Sequence, residues 1–128
     1  MGAKRIFLIF VMISLMMTTA SLQTVQQNAP KKHKIVIDPG HGGNDPGAVG
    51  KSSKEKDIVL SIALKLGNLI EQAYNDIEVV YTRRTDVFVE LFKRAKIANQ
   101  NQAELFISLH CNASKNKTAY GSESWVMG

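Results

Sequence analysis

The most constraining feature of this sequence is a short apolar strand that breaks abruptly into glycines. Ile35, Val36 and Ile37 form a β-branched run of the kind that builds buried strands. The following segment, 38–43 (Asp-Pro-Gly-His-Gly-Gly), contains a proline, which is expected to end the sheet ladder, and three glycines, which reach backbone angles closed to other residues. His41 is therefore expected on a bare loop just past the carboxyl end of a strand, where open α/β sheets place their ligands.

The spacing of apolar residues after this loop alternates between helical and strand periods. It predicts helices over residues 56–74 and 89–100, and further strands over residues 77–82 and 105–110. Residues 122–127 are predicted to begin a fourth strand, in which Trp125 is expected to be a core residue rather than a platform for a sugar. The order β-α-β-α-β-loop-β predicts an α/β fold with a mostly parallel sheet covered by helices. Because no covering helix follows the last strand, we expect this fold to be incomplete at the C-terminus.

The N-terminus has the pattern of a secretory signal peptide. Lys4 and Arg5 precede an apolar run over 6–17, and Thr18-Thr19-Ala20 resembles a small-residue cleavage site. The alternative is a membrane anchor, but the run is shorter than the ~20 residues that span a bilayer. We predict a signal peptide over 1–20, a Gln- and Asn-rich linker over 21–33 and a domain over 34–128, exported to the periplasm, cell envelope or extracellular space.

The net charge bears on the expected partners, and the cysteine content bears on disulfide bonding. The net charge of +5 falls when Lys4 and Arg5 are removed, and a small positive charge suits an anionic cell wall only weakly. We expect no nucleic-acid partner and no stable membrane anchor after signal cleavage. Cys111 is the single cysteine, so an intramolecular disulfide is excluded. Strand alternation places Cys111 on the face opposite His110, where we expect a buried, inert thiol.

Three potential metal ligands fall at the ends of predicted elements. His41 follows the first strand, Glu55 opens the first helix and His110 ends the third strand. If the first and third strands are parallel neighbours, the two histidines meet at one edge of the sheet. Two histidines and one carboxylate are the ligand set of many catalytic zinc sites. Spacing alone also allows an ordinary helix-head glutamate that interacts with the helix dipole.

Several motifs agree in order and spacing with a known family. They are Ile-Val-Ile-Asp-Pro-Gly-His-Gly-Gly over 35–43, Asp-Pro-Gly-Ala over 45–48, Glu-Lys-Asp over 55–57, Thr82-Arg83, and Ser-Leu-His-Cys-Asn-Ala over 108–113. Together they resemble the zinc-dependent N-acetylmuramoyl-L-alanine amidases of the amidase 3 family. The resemblance covers about 34–128, and it implies that His41, Glu55 and His110 bind Zn²⁺.

The resemblance also implies a substrate, peptidoglycan, and a reaction. The family cuts the amide between N-acetylmuramic acid and the L-alanine of the peptide stem. Its general-base glutamate lies in a later segment, beyond Gly128 in this numbering, so the catalytic residue here is unknown. Three glutamates further along the chain, Glu90, Glu104 and Glu123, do not match that segment and are expected to be solvated.

Two further residues of the motifs can be explained by an ordinary structural role. Arg83 is expected to pair with Asp86 as an ordinary loop arginine. Asn112 shares the face of His110, where it either orients a ligand or substrate or is a turn residue at the strand end.

Two other functions remain as alternatives at this point. The chain without its general base would bind metal but cleave poorly, so it is either a low-activity amidase or a non-catalytic peptidoglycan-binding fragment. The glycine loop also suggests a phosphate cradle, but it lacks the Lys-Ser/Thr ending of a P-loop.

Overall fold

The computed structural model describes residues 31–112, 114, 116 and 118–126. The predicted signal peptide over 1–20 and most of the predicted linker over 21–33 lie outside the described residues. The elements within the described part are β1 (His33–Pro39), α1 (Glu55–Ala73), β2 (Ile77–Tyr81), α2 (Leu91–Gln100) and β3 (Leu105–Leu109). Neither of these two helices has the length and apolar character needed to cross a membrane.

The three strands form a parallel sheet in the order β2-β1-β3. The central strand β1 pairs with both neighbours, so Val36 lies beside Val80 on one side and Phe106 on the other. Parallel neighbours require crossover connections, which α1 and α2 provide. The predicted α/β fold with a parallel, helix-covered sheet is confirmed.

The two faces of the sheet differ in chemistry. On one face Ile37 and Val79 pack with Ala63 of α1 into the apolar core. Successive strand residues point to opposite faces, so Asp38 lies on the other face, where Arg94 of α2 forms an ion pair with it. The core thus supports the sheet from one side, while a buried polar network occupies the other side beneath the loop after β1.

The face that α1 buries differs in part from the one that the spacing of its apolar residues indicates. Ile58, Ile62 and Leu69 are exposed, although their spacing marks an apolar stripe. The buried positions are Val59, Ala63 and Gly67 instead, and a side chain at Gly67 would collide with Tyr81 of β2. A glycine at a close approach carries no hydrophobic signal, which explains the shifted stripe.

The predicted fourth strand is absent from the part of the chain that the structure describes. Residues 122–126 have no strand structure, and 127 and 128 lie outside that part. Trp125 is 86% exposed, so its predicted place in the core is wrong. Strand formation depends on a partner ladder, and none of the described strands pairs with this segment.

The structure also corrects the predicted end of the first strand. β1 continues through Pro39, which lies beside Leu109 in the parallel ladder. Proline lacks an N–H, and the next residue supplies one: the amide of Gly40 donates to the Leu109 carbonyl at 3.0 Å. The loop that carries His41 therefore leaves the sheet directly beside the end of β3.

Candidate metal centre

Three side chains from distant parts of the chain converge at the carboxyl end of the sheet. His41 lies just after β1, Glu55 is the first residue of α1 and His110 follows β3. Glu55 Oε1 lies 3.1 Å from His41 Nε2 and 3.1 Å from His110 Nδ1. The two imidazole nitrogens are 3.2 Å apart. The structure thus places two imidazole nitrogens and one carboxylate oxygen at the corners of a nearly equilateral triangle.

The size of this triangle fits a tetrahedral metal ion. Ligand atoms at the usual distances of about 2.0–2.1 Å from zinc are separated from one another by about 3.3 Å. The observed separations of 3.1–3.2 Å are close to that value. Such a set of three ligands leaves one tetrahedral position for water or substrate.

Backbone amides fix the carboxylate of Glu55. Its Oε2 accepts a hydrogen bond from the Ala48 amide at 2.8 Å, and its Oε1 accepts one from the Cys111 amide at 2.7 Å. The residue is only 4% exposed. Burial alone would raise the pKa of Glu55, but these two amides and the nearby histidines outweigh it and hold the pKa below its usual range. The carboxylate is therefore ionised and oriented before any cation arrives.

The loop before α1 holds the head of that helix against the His41 loop. The amides of Glu55 and Lys56 donate to the carbonyls of Ala48 and Pro46. Gly47, between them, has a left-handed φ of +64°, a conformation that glycine adopts most easily. A Cβ at this position would lie 2.6 Å from His41 Cδ2 and 2.7 Å from Glu55 Oε2. Glycine is thus required here for backbone conformation and for space.

Asp45 determines which nitrogen of His41 faces the cluster. A tight turn links Gly42 and Asp45 through paired backbone hydrogen bonds, and it brings Asp45 Oδ2 to 2.9 Å from His41 Nδ1. That hydrogen bond, together with one from the Gly47 amide, lowers the pKa of the Asp45 carboxyl. A carboxylate on one ring nitrogen favours the tautomer whose other nitrogen is free to bind a metal. Asp45, named in the sequence analysis only as the first residue of the Asp-Pro-Gly-Ala motif, is therefore part of the candidate site.

His110 reaches the cluster with less support. It follows the last residue of β3, and its ring packs edge-on against His41, with the ring centroids 4.9 Å apart. Its ring lies over Gly40, where any Cβ would collide with it. The side chain of His110 is 48% exposed, about twice the 23% of His41.

Three other motif residues are placed differently from the expectations. Arg83 does not act as a loop arginine paired with Asp86; it is buried and donates to backbone carbonyls, while Asp86 pairs with Lys56 at 2.6 Å. Cys111 is half-buried, so the expectation of a buried thiol is wrong. Asn112 is exposed, and its amide donates to the carboxylate of Glu123 instead of reaching the three clustered side chains.

Glu90, Glu104 and Glu123 each have a partner outside the cluster. Glu90 pairs with Lys93, and Glu104 pairs with His33. Glu123 is exposed and bound to Asn112.

Beside the cluster, a cleft of about 520 Å³ opens on the polar face of the sheet. Apolar side chains of the segment before α2 and of β3 form part of its wall, among them Phe88, Val89 and Phe106. His41 and His110 line the same cleft. A substrate group bound in the cleft would therefore lie against the open side of the candidate metal centre.

The fold and the cluster define a class of protein: a parallel α/β domain with a candidate metal centre at the carboxyl end of its sheet. Residues 35–128 match the amidase 3 family, described as N-acetylmuramoyl-L-alanine amidase. The chain belongs to this family.

Individual relatives agree with this assignment. The chain is 44% identical over 94 residues to N-acetylmuramoyl-L-alanine amidase AmiC of Escherichia coli O6:H1, covering 73% of this chain and 22% of AmiC. It is 40% identical over 93 residues to the sporulation-specific N-acetylmuramoyl-L-alanine amidase of Bacillus subtilis, covering 73% of this chain and 35% of that protein. The chain therefore spans about a third or less of the length of these two relatives.

A solved structure supports the fold as well. The N-acetylmuramoyl-L-alanine amidase from Clostridium difficile 630 superposes with a TM-score of 0.65 at 42% identity, over 70% of this chain and 49% of that one.

Proposed function

We propose that this chain carries the zinc-binding part of a peptidoglycan hydrolase that cleaves the amide between N-acetylmuramic acid and L-alanine. The observation that supports it most directly is the triangle of His41 Nε2, Glu55 Oε1 and His110 Nδ1, with sides of 3.1–3.2 Å. The matched relatives are named as amidases of this bond. Zinc, when bound, activates water and polarises the substrate carbonyl.

The residues of the chain contribute binding and orientation to this reaction. Glu55 supplies a fixed negative charge at one corner of the triangle, and Asp45 favours the tautomer of His41 that leaves Nε2 free. The cleft beside them can receive the acyl or peptide side of the scissile amide. A general base is expected from a glutamate in a later segment of the family, beyond Gly128.

The same proposal covers location and domain organisation. We propose a signal peptide over 1–20, a linker over 21–33 and the amidase segment over 34–128, with export to the periplasm, cell envelope or extracellular space. Peptidoglycan is the proposed partner, with no nucleic acid and no stable membrane anchor after signal cleavage. The two relatives are named as N-acetylmuramoyl-L-alanine amidases, and the bond in that name belongs to peptidoglycan, which supports this location.

Metal analysis of the 128-residue chain tests the site. The wild type should hold about one zinc ion, while His41→Ala and His110→Ala should lose it, because each removes one of three ligands. His33→Ala is the matched control: this third histidine is exposed and pairs with Glu104, away from the cluster. If both cluster variants keep the zinc content of the wild type, the ligand assignment is wrong.

A second measurement addresses the reaction. On purified sacculi the 128 residues tested alone should bind peptidoglycan but release muropeptides about 10²–10⁴-fold more slowly than a full-length amidase of the family, because Glu90, Glu104 and Glu123 all pair outside the cluster and leave no candidate base there. Binding with no detectable release would favour a non-catalytic peptidoglycan-binding role. Release at the rate of a complete enzyme would show that another group acts as the base.

A further inference from the structure

We propose that two buried arginines, Arg83 and Arg94, are positioning residues that hold His41 in the conformation that presents its Nε2 to the metal. This inference depends on the zinc site proposed above. It concerns residues that do not touch the cluster side chains themselves.

The two guanidinium groups bind three consecutive carbonyls of the loop that carries His41. Arg94 donates from Nη1 to the Pro39 carbonyl at 2.9 Å and from Nη2 to the His41 carbonyl at 2.9 Å. Arg83 donates from Nε to the Pro39 carbonyl at 2.9 Å and from Nη2 to the Gly40 carbonyl at 2.7 Å. The carbonyl side of this turn is therefore fixed by rigid, planar donors.

The same arginines connect this loop to the segments that carry the other two ligands. Arg83 Nη2 also donates at 2.9 Å to the carbonyl of Lys56, the neighbour of Glu55. Arg94 pairs with Asp38, and Asp38 Oδ2 accepts from Ser108 Oγ, two residues before His110. One hydrogen-bonded network thus reaches all three ligand-bearing segments.

His41 needs this support because its backbone is unfavourable for its residue type. Its φ is +59°, in the left-handed region where a side chain crowds the following carbonyl. Such a conformation persists only when the surroundings determine it. If the loop carbonyls were released, His41 would relax to a negative φ, which would turn its ring away from Glu55 and His110.

The two guanidinium groups are buried, and their hydrogen-bond partners indicate a structural role in holding the backbone. Arg83 and Arg94 are 3% and 5% exposed. Arg94 has Asp38 as an ion-pair partner, but all four hydrogen bonds of Arg83 go to backbone carbonyls. Burial and the neighbouring Arg94 lower the pKa of Arg83. Burying a cation costs free energy unless its donors are satisfied, and here the loop carbonyls satisfy them.

Charge-conserving variants test the role. Arg94→Lys and Arg83→Lys keep the positive charge but lose the fork that reaches several carbonyls at once. We expect each to weaken zinc binding by about 10–100-fold, the usual cost of disturbing groups that orient metal ligands. Competition with a chromophoric zinc chelator measures this change. Arg84→Lys is the matched control, because this neighbouring arginine is exposed and stacks on Tyr81; its affinity should stay within about twofold of wild type.

NMR of the metal-free protein gives a readout independent of zinc. The backbone resonances of His41 should report a left-handed conformation in the wild type and in Arg84→Lys, and a shift toward a negative φ in Arg94→Lys. If zinc affinity and the His41 resonances are unchanged in both buried-arginine variants, the positioning role is overturned.

The design separates this inference from the proposed function. If the wild type binds no zinc, the proposed site fails, and the NMR comparison still decides whether the arginines set the His41 backbone. Circular dichroism identifies the temperature at which each variant is folded, and titrations are carried out there. If Arg94→Lys does not fold, Arg83→Lys decides instead, since it leaves the Arg94–Asp38 pair intact.

Discussion

The two histidines of the candidate metal centre are supported very differently. His41 lies on a loop whose carbonyls are bound by two buried arginines, and its ring is held by Asp45. His110 follows the edge strand β3, its side chain is 48% exposed, and among the described residues its ring has hydrogen-bond-distance contacts with His41 and Glu55. His41 is thus part of the polar network of the fold, whereas His110 is positioned by the end of β3 and by its contacts with His41 and Glu55.

This difference suggests that part of the candidate centre is preorganised and part of it is free to move. Glu55 and His41 form a preorganised pair, because buried amides and side chains fix them without a metal. His110 can move at small cost, since one side of its ring faces solvent. We therefore expect disturbance of the first pair to damage both the fold and the site, and disturbance of His110 to damage the site alone.

Two glycine variants test this contrast, and they give the largest expected effects. In Gly47→Ala the new methyl meets His41 and Glu55, and the left-handed backbone becomes strained. We expect zinc affinity to fall by more than about 100-fold and the free energy of unfolding to fall by about 1–3 kcal/mol. In Gly40→Ala the methyl meets only the His110 ring among the nearest atoms, so we expect about a 10–100-fold loss of zinc affinity.

Chelator competition and urea unfolding of both variants measure these changes. The stability of Gly40→Ala should remain within about 1 kcal/mol of wild type, because the exposed ring can swing outward. Equal destabilisation by the two substitutions would contradict the proposed difference between the two histidines.

Asp45→Asn gives the next largest effect. An amide side chain retains the shape of the turn but loses the charge that favours the Nδ1-protonated tautomer of His41. We expect zinc affinity to fall by about 10-fold, at the lower end for groups that orient a ligand. Glu104→Gln is the control, because it changes an equivalent carboxylate–histidine pair at exposed His33. An equal effect of both substitutions on zinc affinity would exclude a specific role for Asp45.

The smallest expected effect comes from Asp86. Its carboxylate accepts hydrogen bonds from the Gly43 amide of the glycine loop and from Lys56 Nζ. The hydrogen bond from Lys56 and then the one from Gly43 lower the pKa of Asp86 below its ordinary value of 3.8. Because the pKa is lowered in the folded state, the ionised carboxylate stabilises the fold fully at pH values above its ordinary pKa. This contribution is lost as the pH falls through the folded-state pKa. Asp86→Asn should therefore lower Tm by ~2 °C at pH 7.

Thermal unfolding at a series of pH values measures this effect. The difference between wild type and Asp86→Asn should shrink below about pH 4. A difference that is constant down to pH 2 would show that the charge of Asp86 contributes nothing.

Much of the fold follows from local pattern, because β-branched runs and helical spacing are properties of short segments. The predicted helix over 89–100 becomes Leu91–Gln100, and the predicted strand over 105–110 becomes Leu105–Leu109. The convergence of His41, Glu55 and His110 could be anticipated because parallel strands end at the same edge of a sheet. Their role as ligands stays a prediction.

What the sequence did not indicate depends on partners that are distant in the chain. Arg94 was overlooked, and Arg83 was assigned to an ordinary loop position, because charged residues are usually exposed. Two signals were available: Asp38 ends a buried strand and needs a counter-charge, and Arg94 shares a helical face with buried Ala98. The segment around Trp125 was assigned to a strand from its composition, although strand formation requires a neighbour that composition does not specify.

The central position of β1 has a consequence for the order of folding. The Ser108–Asp38 bond joins residues 70 positions apart, and the two imidazoles are 69 positions apart. Neither contact can form before the third strand has been synthesised, and closing loops of this length costs chain entropy. During synthesis, β1, α1 and β2 can be made while the chain beyond them is still unmade, so a nascent chain carries His41 and Glu55 without His110 until the third strand is complete.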